Sequence, residues 1–387
     1  MQLKAVESKQ DIQAFLNCVD HIYQNNPAYI RPLNKDVERV FNPEKNKAFR
    51  HGEIVRWILI DAKNKTIGRV AAFVNEKHSA QFPKTGGLGF FECIEDQDAA
   101  FMLMDKAKAW LQEKGMESMD GSINFGERDE FWGLTIQNFK QPPYYKQNLS
   151  QPYYHQYFEA YGFEIFFKQL IYHRMVADPL QEKFEERASR LERDPNYTVC
   201  CIDKKNLDKY TEDFRTIYNS AWGKRDGENF KGMSAAQAKS IMKAIKPILD
   251  ERLFYYAYYK GQPIGFYISL PEVNQIFKLF NGRFGLWEKL RFLFHLKTGK
   301  ITTCFGTAFG VHPDHQGKGV EGLLFKYCYK VLNKTQYKDV IITWLGDFNV
   351  KMVSIIEQLG AKRIQEMATY RYHFDRNRAV ERHPVSS

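Results

Sequence analysis

The sequence predicts an α/β protein built from two tandem copies of one unit, each a mixed, mostly antiparallel sheet flanked by helices. Two observations carry this. The first is a long internal repeat: Ile22-Tyr23 recurs as Ile217-Tyr218, Gly68 as Gly265 and Gly162 as Gly360, at offsets of 195, 197 and 198. Three landmarks with nearly one offset mark a duplicated unit. The second is that both copies alternate β-rich hairpins with segments of helical periodicity, a pattern that calls for a sheet with crossover helices. A chain of 387 residues is long enough for two such units.

Each unit reads helix, hairpin, strand, helix, strand, helix, strand. The opening helix of the first copy is 10–24, matched by 206–222 in the second. Residues 54–74 and 252–270 form the hairpins, rich in aromatic and β-branched residues, with Lys63-Asn64-Lys65 and Lys260-Gly261-Gln262-Pro263 at the turns. Gly68 and Gly265 each open the second strand of their hairpin. Amphipathic spacing then marks Phe101, Leu103, Met104, Ala107 and Leu111 in the first unit, and Leu323, Leu324, Tyr327, Cys328 and Val331 in the second. The segments 157–164 and 354–362 close the repeat. Between the copies, 177–196 is charged and bounded by prolines, which predicts a short helix plus linker. The expected division is therefore 1–176, the joint 177–196, 197–375, and a fraying tail over 376–387.

Composition narrows the class. With 44% apolar residues the chain can bury a core, which excludes a disordered or low-complexity protein. No stretch approaches 18 uninterrupted apolar residues, and the N-terminus carries charges where a signal peptide needs an apolar run. Six cysteines without a CxxC or any zinc-like spacing point to a reduced, cytoplasmic protein without a metal. Charge is unevenly divided. Residues 1–176 carry 22 basic and 22 acidic side chains, whereas 177–387 carry 34 and 24, the whole of the net +10. A field of one sign in one half points to an anionic partner there, a phosphorylated cofactor or a nucleic acid.

The chemistry concentrates in 301–325, where a β-rich run ends near Val311 and Gln316-Gly317-Lys318-Gly319 precedes an amphipathic helix. A glycine turn at a helix N-terminus presents unpaired amides and the positive end of the helix dipole to an anion. The turn is not a P-loop, because Gly319 follows Lys318 and no magnesium-binding hydroxyl is present. Gly317, Gly319 and Gly322 satisfy G-x-G-x-x-G, and Asp339 follows at the separation a ribose-binding acid would have. A dinucleotide fold nonetheless needs its strand to run straight into the first glycine. Here His312 to Gln316 intervene, and the stretch from Gly322 to Ser387 is too short for the rest of such a domain.

The run Val311-His312-Pro313-Asp314-His315-Gln316-Gly317-Lys318-Gly319-Val320 resembles the acyl-CoA pyrophosphate motif of the GNAT acetyltransferase superfamily, in which a Gln or Arg is followed by x-x-G-x-G/A. The order of elements over roughly 200–375 resembles the same superfamily, and the two copies a tandem GNAT form. The resemblance implies that backbone groups of Phe309, Gly310 and Val311 line the pantetheine arm of acetyl-CoA or a related acyl-CoA. Amides from Gln316, Gly317, Lys318, Gly319 and Val320, with Gly322, would cradle the pyrophosphate, and Asn349 would lie near the thioester. Two positions depart from the pattern: Glu321 stands where a final Gly or Ala belongs, and Ile356 replaces the tyrosine expected seven residues after the Asn. In the first unit the aligned stretch, Phe91 to Asp98, has no glycine and four carboxylates, and Gln151 and Phe158 stand where Asn and Tyr would be. That copy is expected to be degenerate and to shape a substrate cleft.

The implied reaction is direct transfer of an acyl group to the amine of a small molecule or peptide, without a covalent enzyme intermediate. Glu272, just after the second hairpin, and Asp347, after the fifth strand, are the candidate bases. His312, His315 and Cys304 are expected to serve locally, in hydrogen bonding or packing. Two other readings stay open: an aminoacyl transferase drawing on charged tRNA, less favoured because no Arg/aromatic stripe of the RNA-binding kind is visible, and a non-catalytic acyl-CoA sensor. Two insertions stand out. Residues 281–300 form an amphipathic, basic segment suited to packing on the partner domain, to a lid, or to a membrane surface. Residues 124–150 form a long polar-aromatic loop of the kind that builds interfaces or sites.

Overall fold

A computed structural model describes residues 1–79, 83–223 and 232–385. The first copy runs β1 (Gln2–Ala5), α1 (Lys9–Ile22), α2 (Asn34–Val40), β2 (Gly52–Ile60), β3 (Thr66–Asn75), α3 (Glu76–Ser79), β4 (Thr85–Cys93), α4 (Gln97–Glu113), β5 (Ser118–Gly121), β6 (Leu134–Gln137), α5 (Pro152–Tyr161) and β7 (Glu164–Met175). The joint holds α6 (Glu182–Glu192). The second copy runs β8 (Tyr197–Cys201), α7 (Leu207–Gly223), α8 (Ala235–Ile245), β9 (Phe254–Tyr259), β10 (Gln262–Pro271), α9 (Asn274–Phe277), α10 (Leu286–Lys297), β11 (Thr303–Val311), α11 (Val320–Leu332), β12 (Asp339–Gly346), α12 (Val350–Gln358) and β13 (Lys362–His373). Opening helices, hairpins and crossover helices fall where the periodicity places them.

The repeat landmarks have a physical cause. A Cβ on Gly68 would meet Leu103 Cδ1 of α4 at 2.8 Å, and one on Gly265 would meet Leu324 Cδ1 of α11 at 3.2 Å. Both glycines therefore let the crossover helix sit directly on the hairpin. Gly162 and Gly360 both adopt left-handed backbone, φ +103° and +80°, just past α5 and α12, where a helix is commonly closed by glycine.

All strands among the described residues belong to one mixed, mostly antiparallel sheet in the order β1-β2-β3-β4-β5-β13-β7-β12-β11-β10-β9-β8, with β6 pairing β13. The centre of this order is crossed over. β7, from the first copy, lies between β13 and β12, while β13, from the second copy, pairs with β5 of the first (Tyr370↔Gly121, His373↔Ser118) and with β7. Each copy thus places its last strand within reach of the other's sheet, and two of the hydrophobic cores take residues from these crossed strands. One core gathers Leu59, Leu88, Leu103, Phe158 and Tyr370; the other gathers Leu170, Tyr172, Phe266, Leu324 and Ile356.

Within the tail expected to fray, described residues are held against the body of the fold. The His383 N–H donates to Phe166 O at 2.9 Å, its ring stacks on Phe348 at 4.0 Å, and Arg382 pairs with Asp347.

Candidate active site

Strands β11 and β12 run parallel but pair only from Thr303–Gly306 against Asp339–Ile342. Past that point β11 stays with β10 up to Gly265↔Val311, and β12 leaves it. The divergence starts at a bulge. Ile268 pairs with Ala308 and Ser269 with Gly306, so Thr307 is an extra residue, its Oγ1 donating to Ile268 O at 3.2 Å. A bulge bends its strand and ends regular pairing. The result is an unpaired stretch between the strands, a slot whose β11 side is Phe309, Gly310 and Val311. Phe309 is held by stacking on Phe325 at 5.3 Å.

The slot leads to the glycine turn. His312 Nδ1 accepts from the Asp314 N–H at 3.3 Å, and Gln316 Nε2 donates to Val311 O at 3.0 Å, so both side chains shape the turn itself. Gly317 has φ +72° and open space where a Cβ would be; Lys318 is exposed beside it. Gly319, φ +99°, is the N-cap of α11 and no side chain caps that helix. A helix N-terminus with no side-chain cap among the described residues is a place where anions bind, although Gly319 itself is buried against Leu191 and Arg187 of α6. Val320 is fully buried and fixes the helix against the hairpin at Gly265.

The equivalent slot in the first copy is closed. β4 also leaves its parallel partner β5 after four pairs, Thr85↔Ser118 to Leu88↔Gly121. There the chain returns at once: the Ile123 N–H donates to Leu88 O at 2.8 Å, and a Cβ on Gly89 would lie 1.8 Å from Ile123 O. Behind it Glu92 is partly buried, its pKa raised by desolvation, and accepts from the hydroxyls of Tyr23 and Tyr154, each at 2.9 Å, with Arg69 at 3.4 Å. What remains is a cavity of about 30 Å³, room for one or two waters. The helix that would receive a phosphate, α4, is instead capped by Asp96, whose carboxylate accepts from the Ala99 N–H at 3.0 Å. A carboxylate occupies the place of the anion.

The remaining residues singled out in the sequence do not all converge on the slot. Gly322 faces the joint helix: a Cβ there would meet the Ala188 Cβ at 3.4 Å and Phe184 Cε1 at 3.5 Å of α6. Lys326, one turn on, pairs with Glu185 at 2.7 Å and Glu192 at 2.8 Å. Asn349 caps α12, accepting from the Met352 N–H at 3.4 Å, and Ile356 is buried in the core. Asp347 is engaged by Arg382 and by the Lys168 N–H at 3.1 Å. Glu272 sits at the far end of β10, where Pro271 pairs with Cys304. Along β11, the seven residue steps from Cys304 to Val311 span about 23 Å. The Glu272 carboxylate is buried and accepts from the N–H groups of Asn274 at 2.8 Å and Tyr145 at 3.2 Å. Burial pushes its pKa up to about 8.

Sequence reasoning did not identify which residues of the second copy the first would meet. The insertion 124–150 reaches across: Tyr145 binds Glu272, Pro143 O accepts from Asn274 Nδ2 at 2.9 Å, and Arg128 O accepts from Trp344 Nε1 on β12 at 3.2 Å. Its length pointed to an interface, but its partners lie far along the chain, in the second copy.

The fold is that of a tandem GNAT protein, and the gap between β4 and β5 in its first copy is closed by Ile123. A tandem GNAT protein from the clavulanic acid biosynthesis pathway superposes over 96% of this chain and 98% of its own, with TM-score 0.55 and 10% identity. A GCN5-related glucosamine N-acetyltransferase region of a fungal β-N-acetylglucosaminidase superposes over 96% of this chain with TM-score 0.58 and 12% identity; the match spans 38% of that longer chain. In sequence, the chain is 24% identical over 375 residues to Protein YghO of Escherichia coli, covering 94% of this chain and 93% of that one. It is also 24% identical over 376 residues to a bacterial ceramide synthase of Caulobacter vibrioides, covering 94% and 95%. No family model matches.

Proposed function

We propose that the protein is an N-acyltransferase that takes an acyl group from an acyl-CoA bound in the β11/β12 slot and passes it to an amine. The observation that supports this best is the open slot ending in an uncapped helix N-terminus with Gly317 and Gly319 in left-handed backbone. The pantetheine would run along Phe309, Gly310 and Val311, its amides pairing with the strand edge that β12 leaves free. The pyrophosphate would rest on the amides from Gln316 to Val320, with Lys318 adding a screened positive charge. In the reaction the amine nitrogen attacks the thioester carbon, a C–N bond forms, the C–S bond breaks, and the CoA thiolate takes up a proton. Ile356 brings no proton to the thiolate. Of the two proposed bases, Asp347 is engaged by Arg382, and Glu272, kept protonated by burial up to about pH 8, would take the ammonium proton only in alkaline solution.

For the acceptor, the name of the Caulobacter relative supplies a class. Ceramide is the amide of a long-chain amino alcohol, so we propose an amino alcohol or amine with a long hydrocarbon tail. The test uses the full chain with acetyl-CoA and with long-chain acyl-CoA, each against a panel of long-chain amino alcohols and small polar amines. Free thiol is followed and the amide identified by mass spectrometry. Amide formation with a long-chain amine is the expected result. Acyl-CoA binding without turnover on any amine would establish a ligand sensor instead, and absence of acyl-CoA binding would overturn the assignment of the slot.

A further inference from the structure

Helix α10 is held firmly yet turns an apolar face outward. Phe292 is buried, packed on Phe277 at 5.2 Å and Phe284 at 5.9 Å, and Glu288 accepts from the Gly285 N–H at 2.8 Å to close the first turn. The preceding loop is tied to the first copy: the Asn34 N–H donates to Gly282 O at 2.8 Å, and Lys35 lies 3.7 Å over the Phe284 ring. Opposite this anchored side stand five large apolar side chains: Leu286 and Trp287, 71% and 75% exposed, with Leu290, Leu293 and Phe294 each about half exposed or more. At 100° per residue they fall within an arc of about 120°. Arg291 borders the arc on one side and Lys289 on the other, while Lys297 lies within it on a stem long enough to lift its charge outward. From Lys278 to Lys300 there are six basic residues and one acid, Glu288.

A soluble surface rarely displays so many large apolar side chains together. A firmly packed helix with an outward apolar arc and basic borders matches the geometry of a helix lying in the plane of a bilayer, apolar side chains among the acyl chains and cations at the headgroups. No helix among the described residues is long and apolar enough to cross a membrane. We infer that α10 docks the protein on an anionic lipid bilayer surface. The charge favours this occupant: a net of five positive charges between Lys278 and Lys300 complements phosphate headgroups. The docking helix leads directly into β11 and sits at the Glu272 end of the sheet, away from the glycine turn. The inference does not rest on the acyltransferase reading.

Flotation of the full-length protein with phosphatidylcholine vesicles, with and without about 30% phosphatidylglycerol, tests it without any acyl-CoA. The protein is expected to float with the anionic vesicles and to be released by salt. Trp287→Glu with Leu290→Glu should melt like the wild type, since both side chains are largely in solvent, yet lose vesicle binding by about tenfold or more. Lys289→Glu with Arg291→Glu, which leaves the apolar arc intact, should abolish the preference for anionic vesicles. A wild type that stays unbound, or a Trp287→Glu/Leu290→Glu variant that floats equally well, would overturn the inference. So would sedimentation showing a wild-type dimer that this variant converts to monomer, because the arc would then be covered by a second copy.

Discussion

Gly317 and Gly319 are held in the same backbone region but in different surroundings. Gly317 faces open space, so Gly317→Ala should cost only the strain of a positive φ, about 1 kcal/mol. A Cβ on Gly319 would press on Leu191 Cδ1 at 2.8 Å, so Gly319→Ala should cost more and displace α6. Thermal melts of the two variants decide this: equal losses would mean that Leu191 yields freely. Glu272 supplies a second prediction. Its native pKa, about 8, lies above the 4.5 of an unperturbed glutamate. Below pH 4.5 native and unfolded chains both carry the proton. Between 4.5 and 8 the unfolded chain releases it while the native chain keeps it, so stability falls as pH rises, by up to about 1.4 kcal/mol per unit. Glu272→Gln keeps an acceptor for the Asn274 and Tyr145 N–H groups and should remove that part of the slope. Urea melts at pH 5 and pH 8 should therefore show the variant losing less stability than the wild type between them. Parallel losses would mean that the buried carboxylate is ionised throughout.

Elements that follow from their own local chemistry were legible in the sequence; those defined by a distant partner were not. The hairpins, the amphipathic helices and the glycine turn are local, and the structure places them as expected. Gly322 shows the limit. Its spacing from Gly317 and Gly319 fitted a phosphate motif, yet its missing side chain makes room for Ala188 and Phe184, which arrive from the joint, far earlier in the chain. The predicted helix in 177–196 exists, but nothing in its sequence says that it lies along α11. This packing yields a graded prediction. Gly322→Ala puts a methyl at ordinary contact distance and improves helix propensity, so it should be neutral or stabilising by up to about 1 kcal/mol. Gly322→Leu would force α6 away from α11, at a cost of about 1–3 kcal/mol. Denaturant midpoints of the two variants test this, and a Leu variant as stable as wild type would show that the two helices are loosely joined.

Across the whole molecule, duplication and sharing act together. The repeat that carries Gly68 onto Gly265 marked out two units, and the residues alone offered no reason to expect that their last strands cross. A strand's sequence encodes which face is buried, not which neighbour it takes, and β7 and β13 are buried enough to suit either position. The crossing has a consequence for folding. Removing 179–387 would take β13 from beside β5, and removing 1–178 would take β7 from between β13 and β12. Each half would expose unpaired strand edges and part of its core. Neither fragment, 1–178 or 179–387, should therefore melt cooperatively alone. Co-expressed, they should copurify as one complex whose melt approaches that of the intact chain, because the β7–β13 and β7–β12 pairings need no covalent joint. The same pair of fragments examines the proposed division at 176 and 197. If 179–387 alone melts cooperatively at the temperature of the full chain, the crossed strands are dispensable and the second copy is an independent domain. If only the reunited pair does so, the open slot of the second copy depends on a strand supplied by the sealed first one, and the degenerate unit is retained as part of the scaffold that holds β12 away from β11.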